Sequence, residues 1–296
     1  MISAGERYRK RRIGVGGLEM AYVDEGEGDP IVFLHGNPTS SYVWRNVLPY
    51  LVDKGRCIAP DLIGMGDSAK LPDSGPDSYR FVEHRRFLDA FLQTLGVRER
   101  VTLVVQDWGS ALGFDWAYRH PSAVRAIAYM EAFVAPIDSW SDWPESAVPV
   151  FRAIRSAEGE DMVLDRNFFV EEVLPTEVLR GLSEAEMAVY RRPYAEPGES
   201  RRPTLTWPRE VPVAGEPHEV HDAITRYAAW LAQSTVSKLF IEAVPGAMFP
   251  SHRAVARAWP HQTHLTVRGG HMVQEDAPDE IGAALAGWLT GLPDVD

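Results

Sequence analysis

An acidic residue stands at the junction between a predicted strand and a predicted helix near the middle of the chain. The strand is VTLVV (101–105), an apolar and β-branched run, and the helix is SALGFDWAYRH (110–120). The junction contains Asp107 and, two residues later, Gly109. Glycine permits the close backbone approach of a sharp turn, so the turn can push the Asp107 side chain out beyond the end of the strand.

Further apolar runs along the chain alternate with helical patterns. Strands are predicted in RIGVGGLEMAYVDEG (12–26, a hairpin turning at its paired glycines), IVFLHG (31–36), RCIAPD (56–61), VRAIAYME (124–131), KLFIEAV (238–244) and HLTVRG (264–269). Helices are predicted in YRFVEHRRFLDAFLQTLG, which ends at Gly96, and from about Asp279 onward. This alternation predicts an α/β fold with a mostly parallel sheet and helices on both of its faces.

The stretch from residue 133 to residue 212 interrupts this alternation. It is rich in Trp, Pro, Glu and Arg and contains short helical patterns such as FRAIRSA and SEAEMAVYRR, but no clear strand. We therefore expect a helical cap domain over 133–212, inserted after the sixth strand. Residues 1–132 and 213–296 would together form the main domain.

Composition and charge exclude several classes of protein. The net charge of −12 argues against nucleic acid or an anionic membrane as partner. No run is long and apolar enough to span a bilayer, and the basic N-terminus has no apolar run behind it, so the cytoplasm is expected. Cys57 is the one cysteine, and neither HEVH (218–221) nor HQTH (261–264) matches a zinc site, so no metal or other cofactor is predicted. The oligomeric state is not predicted.

A strand–turn–helix of this kind is the nucleophile elbow of α/β-hydrolases, and partners for a nucleophile follow in the chain. Asp107 would be the nucleophile; its alternative role is to cap the following helix. Glu131 ends a predicted strand, and His271 follows HLTVRG, a strand that we expect to run beside the elbow strand. Because parallel strands end at one edge of a sheet, the three side chains are predicted to form a triad.

The acid of this triad has two candidates, Glu131 and Glu242. A carboxylate beside His271 would fix the tautomer of the imidazole and stabilise its protonated form. Glu242 lies inside the strand KLFIEAV, and the segment AVPGAMFPSH after it contains no carboxylate. Glu131 is therefore favoured.

An aspartate nucleophile differs from a serine because it is already ionised, with an ordinary pKa of about 3.9. It can attack a saturated carbon, form an ester and release a leaving group without a proton from His271. Asn37 and Trp108 each offer a neutral N–H donor, which suits a departing halide; turn formation and wall packing are their alternative roles. His271 would then activate water to hydrolyse the ester, whose oxyanion would meet the backbone N–H groups of Asn37 and Trp108.

The chain resembles the haloalkane dehalogenases in segments that run over nearly its whole length. They are HGNPTSSYVWRN (35–46), DLIGMGDS (61–68), VVQDWGSALGFDWA (104–117), AYMEA (128–132), RRPTLTWPRE (201–210) and GGHMVQEDAPDEIG (269–282). The resemblance implies the α/β-hydrolase fold with an eight-stranded sheet, and a hydrolase that converts a small halogenated alkane and water to an alcohol, halide and a proton. It is closest to the subfamily with the triad Asp107, Glu131 and His271 and the halide pair Asn37 and Trp108.

A substrate pocket is also expected. Its lining residues would be Phe133, Phe151, Phe169, Val173, Trp207, Val211 and Met248. Glu177 would stand near a tunnel mouth where some relatives of this family have an apolar residue. Its alternative role is that of a solvated glutamate on a cap helix.

Two other functions are compatible with the sequence. An epoxide hydrolase forms the same Asp107 ester but uses tyrosine donors of the cap, for which Tyr190 and Tyr194 are available. Epoxide hydrolases usually have an aromatic residue after HG and an acid after the seventh strand, whereas this chain has Asn37 and Glu131. The other alternative is a hydrolase-fold protein that binds a small ligand without catalysis, although every catalytic role has a candidate residue here.

Overall fold

An eight-stranded sheet forms the centre of the computed structural model, which describes residues 2–143, 145 and 147–293. Its strands are β1 (Arg11–Val15), β2 (Leu18–Glu25), β3 (Pro30–Leu34), β4 (Arg56–Pro60), β5 (Val101–Asp107), β6 (Val124–Ala132), β7 (Ser237–Pro245) and β8 (Gln262–Gly269). The order across the sheet is β1-β2-β4-β3-β5-β6-β7-β8. Strand β2 is antiparallel to β1 and β4, and every pair from β4 to β8 is parallel. The predicted α/β-hydrolase sheet and its N-terminal hairpin are confirmed.

Helices follow most of the strands. The α-helices are α1 (Phe81–Thr94), α2 (Trp108–Arg119), α3 (Val148–Arg155), α4 (Glu158–Glu160), α5 (Glu184–Arg191), α6 (Arg202–Glu210), α7 (His218–Leu231), α8 (Pro250–Ala258), α9 (Val273–Asp276) and α10 (Pro278–Thr290). Short 3₁₀ and π turns lie between them, including Leu174–Glu177 and Phe169–Val173. No helix within the described part of the chain is long and apolar enough to cross a membrane.

The central strands of the sheet are buried on both faces. In β3, Val32 and Leu34 belong to one apolar cluster, whereas Ile31 and Phe33 belong to another. The first cluster includes apolar residues of α1, α2 and α7, and the second includes those of α10. Because neighbouring side chains of a strand point to opposite faces, this division places helices on both sides of the sheet, as predicted.

Residues 133–212, here called the cap segment, form helices and helical turns, and no strand appears among those of them that the structure describes. Ile137 pairs with Val213 in an isolated bridge. The N–H of Ile137 donates to Pro212 at 3.3 Å, and the N–H of Ala214 donates to the Ile137 carbonyl at 2.9 Å. The two ends of the segment therefore lie side by side, which is the arrangement that an insertion into the main sheet requires.

A buried ionic cluster joins the cap segment to the rest of the chain. Its members, here called the Arg45 cluster, are Arg45, Arg180, Glu186, Tyr190 and Glu275. Arg45 contacts Glu275 at 2.5 Å and Glu186 at 2.7 Å. Arg180 contacts the same two carboxylates at 2.7 and 2.6 Å, and the Tyr190 hydroxyl donates to Glu275. Since buried charges need partners, the cluster fixes α5 of the cap segment against α9, the helix that follows β8.

Candidate active site

Asp107 occupies a sharp turn between β5 and α2. Its backbone has φ 50° and ψ −130°, and α2 begins at the next residue, Trp108. A β-carbon at Gly109 would lie 2.2 Å from the Leu34 carbonyl oxygen, so the turn requires glycine there. The Asp107 side chain makes no capping hydrogen bond to α2, which excludes the alternative role of helix cap.

The carboxylate of Asp107 is held by the loop that follows β3. The backbone N–H of Asn37 donates to Oδ2 at 2.8 Å. A β-carbon at Gly36 would come within 2.2 Å of the same oxygen, so the loop approaches the carboxylate as closely as a glycine allows. One oxygen of the carboxylate is therefore fixed by a backbone donor, and the other is turned toward His271.

His271 lies between two carboxylates. Its Nε2 atom is 3.6 Å from Oδ1 of Asp107, and its Nδ1 atom is 3.1 Å from Oε2 of Glu131. The expectation that its strand runs beside the elbow strand is wrong, because β6 and β7 lie between β5 and β8. His271 reaches the elbow from a loop two residues beyond the end of β8, and loops can extend over a sheet edge where strands cannot.

Glu131 is directed at His271 by an irregularity in β6. Gln106 pairs with Met130, and Asp107 pairs with Ala132, so Glu131 is an extra residue opposite β5, with φ 44°. A bulge of this kind turns the side chain away from the direction that regular pleating would give it. The carboxylate also accepts the N–H of Ala247 at 2.6 Å, which fixes its position.

Glu242, the competing acid, is engaged elsewhere. Its carboxylate contacts Arg253 at 3.1 Å, Arg257 at 2.5 Å and His264 at 2.8 Å. Burial raises the pKa of Glu242, but hydrogen bonds with Arg257, Arg253 and His264 outweigh it, and the pKa lies below its ordinary value. The structure therefore places Glu131, and not Glu242, beside His271.

The ionisation of His271 follows from these neighbours. Burial lowers the pKa of the imidazole, but hydrogen bonds to Asp107 and Glu131 and the negative charge of Glu177 outweigh it, and the pKa lies well above its ordinary value of 6.5. The raised pKa favours the imidazolium form of His271, whose Nδ1 lies within hydrogen-bond distance of Glu131.

Two neutral donors stand near the Asp107 carboxylate. Both side chains are buried, and within the described residues no hydrogen bond runs from Nδ2 of Asn37 or Nε1 of Trp108 to a protein acceptor; Oδ1 of Asn37 is also buried without a partner there. Such groups cost free energy unless something accepts their hydrogen bonds. They can therefore bind an acceptor that enters the site.

Aromatic rings pack around Trp108. Trp207 stacks on it with centroids 4.5 Å apart, and Phe133 lies at 4.6 Å. Trp207 also stacks on His84 at 4.1 Å, and burial lowers the pKa of His84 to about 3, which keeps it neutral. Two of the predicted pocket residues, Trp207 and Phe133, thus directly contact Trp108, the predicted hydrogen-bond donor to the halide.

The remaining predicted pocket residues are divided between two apolar clusters. Phe151, Val211 and Met248 belong to the cluster that contains Trp108. Phe169 and Val173 belong to a separate cluster within the cap segment. The structure does not bring all of the predicted lining residues into one set of contacts.

Glu177 lies against the loop that carries His271. Its carbonyl accepts the N–H of Met272 at 3.1 Å, and a β-carbon at Gly270 would lie 2.2 Å from the same oxygen. The side chain is half-buried, and its charge contributes to the raised pKa of His271. A position at a tunnel mouth stays a prediction.

Gln106 is a site residue that the sequence analysis did not identify. It is fully buried, and its Nε2 lies 3.1 Å from the His271 carbonyl and 3.3 Å from His271 Nε2. The available signal was a polar residue at the end of an otherwise apolar strand. Among the residues that the structure describes, no group of three or more His, Cys, Asp and Glu side chains is arranged to hold a metal ion.

The chain is similar to known enzymes in both sequence and structure. It matches the α/β-hydrolase fold family over residues 29–278. It is 56% identical over 284 residues to a haloalkane dehalogenase of Sphingobium indicum, with 96% of each chain covered. A haloalkane dehalogenase of Mycolicibacterium smegmatis is 53% identical over 277 residues, with 93% of this chain and 89% of that one covered. The crystal structure of haloalkane dehalogenase DbeA from Bradyrhizobium elkani matches with a TM-score of 0.90 and 46% identity, over 96% of this chain and 98% of that one.

Proposed function

The chain belongs to the haloalkane dehalogenase family of α/β-hydrolases, and we propose that Asp107 is the nucleophile that displaces halide from a small haloalkane. The observation that supports this role most directly is the opposite engagement of its two carboxylate oxygens. Oδ2 accepts the N–H of Asn37 at 2.8 Å, whereas Oδ1 stands 3.6 Å from Nε2 of His271. One oxygen is thus fixed, and the other faces the base that the second step needs.

In the first step, an Asp107 oxygen forms a bond to the halogen-bearing carbon, and the halogen departs with the electron pair of the broken bond. No proton is transferred, so the step does not depend on a basic His271. Asn37 Nδ2 and Trp108 Nε1 donate hydrogen bonds to the halide as its charge develops. Because both donors are neutral, they solvate the halide without holding it as tightly as an arginine would, and the ion can leave afterwards.

In the second step, water hydrolyses the Asp107 ester. His271 Nε2 takes a proton from the water, whose oxygen adds to the Asp107 carboxyl carbon. The backbone N–H groups of Asn37 and Trp108 stabilise the oxyanion that forms. The intermediate collapses with loss of the alcohol, which takes the proton back from His271, and the Asp107 carboxylic acid that remains then ionises and releases a proton. The sum is haloalkane plus water giving alcohol, halide and a proton.

The first step also prepares His271 for the second. Alkylation removes the negative charge of Asp107, one of the three anions that raise the pKa of His271 against the effect of burial. The pKa of His271 therefore falls when the ester forms, and the residue becomes a base after carbon–halogen cleavage. Glu131 remains beside Nδ1 at 3.1 Å and stabilises the charge that returns with the proton from water.

We assign the cap segment to the covering of this site. The stacking of Trp207 on Trp108 supports the assignment, because it places a residue of α6 against the halide donor. Phe133 supplies a second wall at 4.6 Å. The other predicted lining residues, and Glu177 at the tunnel mouth, belong to this proposal, with a small halogenated alkane as substrate.

The arrangement of the cap tyrosines does not favour the epoxide hydrolase alternative. The Tyr190 hydroxyl donates to Glu275 within the Arg45 cluster and is not free to polarise an epoxide. The Tyr194 hydroxyl has no hydrogen-bond partner within the described residues, but its ring packs beside the Lys70 ammonium at 4.5 Å and no described contact joins it to Asp107. The side-chain N–H groups of Asn37 and Trp108 belong to residues that directly adjoin Asp107 or bind its carboxylate through the backbone.

The test is a halide-release assay with short primary bromoalkanes and chloroalkanes, run beside an epoxide panel. We expect stoichiometric halide and alcohol without added cofactor or metal, and unchanged activity after dialysis against a chelator. The Asp107→Asn variant should be inactive as long as the amide persists, since an amide is a poor nucleophile. Turnover of epoxides without halide release would overturn the proposal, and a lack of turnover of both would favour a ligand-binding protein.

A further inference from the structure

The side-chain amide of Gln106 lies against the catalytic histidine. Its Nε2 is 3.1 Å from the carbonyl oxygen of His271, 3.3 Å from His271 Nε2 and 3.9 Å from the sulfur of Met272. The residue is fully buried, and its Oε1 atom has no hydrogen-bond partner in the described part of the chain. Burying an amide oxygen without a hydrogen-bond partner costs free energy. The contacts that hold the amide in this orientation therefore need an explanation.

These contacts determine which way the amide points. The His271 carbonyl is an acceptor only, so it requires the NH₂ group of Gln106 and would repel the oxygen. With the amide held in that orientation, its nitrogen is also the group that faces His271 Nε2 at 3.3 Å. An amide nitrogen is only a donor, and it can bond to Nε2 only when that ring nitrogen carries no proton.

We propose that Gln106 is a positioning residue that stabilises the neutral tautomer of His271, in which Nδ1 carries the proton and Nε2 is free to accept one from water. In this tautomer Nδ1–H donates to Glu131, and Nε2 accepts from Gln106 until the water takes its place. The inference rests on the proposed function, because it assigns Gln106 a role in the step that uses His271 as a base.

The charged groups around His271 make this role specific to the ester. Asp107 of the elbow, Glu131 of β6 and Glu177 of the cap segment all favour the imidazolium. In the free enzyme these charges favour protonation of Nε2, and the amide of Gln106, 3.3 Å from Nε2, opposes that protonation. Alkylation removes the Asp107 charge, so the preference of Gln106 for an unprotonated Nε2 then has a larger share in setting the protonation of His271. Before the first step, Gln106 and Asp107 thus have opposite effects on the protonation of His271. After alkylation the effect of Gln106 is no longer offset by the charge of Asp107.

The test uses Gln106→Met and Gln106→Leu, which replace the amide donor with an apolar side chain of similar size. It also uses Gln106→Glu, which replaces the amide donor with a carboxylate acceptor. Thr102→Val is the matched control, because Thr102 is a buried polar residue of the same strand. Single-turnover rates of alkylation and of ester hydrolysis are measured against pH with a bromoalkane. In parallel, NMR of labelled His271 in the free protein follows its protonation.

In both apolar variants we expect the acid limb of the hydrolysis profile to move to higher pH. Below that limb, ester hydrolysis should slow roughly 2- to 10-fold, the effect of one lost hydrogen bond, and should recover at high pH. Alkylation should be nearly unchanged, Gln106→Glu should move the limb further in the same direction, and Thr102→Val should not move it. A hydrolysis rate reduced by the same factor at every pH would show a merely structural role and overturn the inference.

The NMR titration separates this inference from the proposed function. If no variant and no wild-type protein releases halide, yet loss of the Gln106 amide raises the pKa of His271, the proposed function fails and the role of Gln106 stands. If halide is released and the pKa of His271 is the same in all Gln106 variants and in the control, the inference fails and the proposed function stands.

Discussion

Nδ1 of His271 lies 3.1 Å from Oε2 of Glu131, although the strands that lead to these residues are not neighbours in the sheet. Strand β7 separates them, and the turn after it contributes the N–H of Ala247, which donates to the same Glu131 oxygen at 2.6 Å. The acid is thus fixed from one side by a backbone donor and presented to the imidazole on the other.

Loss of His271 should separate the two steps. His271→Ala should still be alkylated by a bromoalkane and release about one halide per active site, because the first step needs no proton transfer. The ester should then persist, and intact-protein mass spectrometry should show one added alkyl group that maps to the peptide with Asp107. His264→Ala, which alters a histidine bound to Glu242, is the control and should turn over normally. A folded His271→Ala protein that gains no mass would exclude a carboxylate nucleophile.

Removal of either neutral donor should slow carbon–halogen cleavage. For Asn37→Ala and Trp108→Phe we expect alkylation to fall by roughly 10²–10³, as when one donor to a developing anion is deleted elsewhere. Pre-steady-state alkylation is the measurement, and circular dichroism checks the fold. Trp44→Phe is the matched control, since its buried indole N–H also lacks a partner in the described structure but packs with Phe33 on the other face of the sheet. Alkylation at the wild-type rate in both variants would remove the halide pair from the mechanism.

The two candidate acids should behave differently. Glu131→Gln should slow ester hydrolysis, by up to roughly 10⁴-fold, and alkylation much less, because only the second step places a new proton on His271. Glu242→Gln should leave both steps near wild type and lower the thermal stability, since it weakens the contacts to Arg253, Arg257 and His264. Single-turnover kinetics and melting curves measure the two effects. If Glu242→Gln is the variant that accumulates the ester, the choice of acid is wrong.

Neutralising Asp107 should lower the pKa of His271. Burial alone would lower this pKa, and the hydrogen bond to Asp107 is the foremost interaction that raises it above 6.5, so in Asp107→Asn an NMR titration should give a lower value than in wild type. A raised folded-state pKa contributes stability that is fully present below the unfolded value of about 6.5 and is lost as pH rises through the folded value. Asp107→Asn should therefore lose less stability over that pH range.

Denaturant titrations at several pH values, with intact mass to verify that the amide persists, measure the stability effect. Equal pKa values of His271 in the two proteins would show that Asp107 does not control its protonation. Such a result would also remove the reason for His271 to become basic after alkylation.

The sequence predicted the elbow because several local signals agree there. An apolar strand, a glycine that only a close approach explains and an amphipathic helix all place Asp107 at one turn, and the structure has that turn. The contact of Glu131 with His271 was predicted only as a meeting of strand ends. It depends on one extra residue in β6 and on a loop after β8, and neither feature has a signature in strand periodicity.

The lining of the pocket was less predictable than the triad. The cap segment consists of short α, 3₁₀ and π turns, whose directions depend on what they pack against. Trp207 and Phe133 contact Trp108, but Phe169 and Val173 lie in a cluster of their own. Gln106 was missed for a related reason, since its role depends on a histidine that lies far away in the chain and close to it in the fold.

The Arg45 cluster sets a condition on recombination between this chain and its relatives. In a chimera that received a foreign cap without Arg180, Glu186 and Tyr190, Glu275 would keep one of its three side-chain partners. A buried carboxylate deprived of its partners strongly destabilises a protein. Exchange of caps should therefore succeed only when Arg45 and Glu275 are transferred as well. Stretches that lie far apart in the chain thus have to be exchanged together.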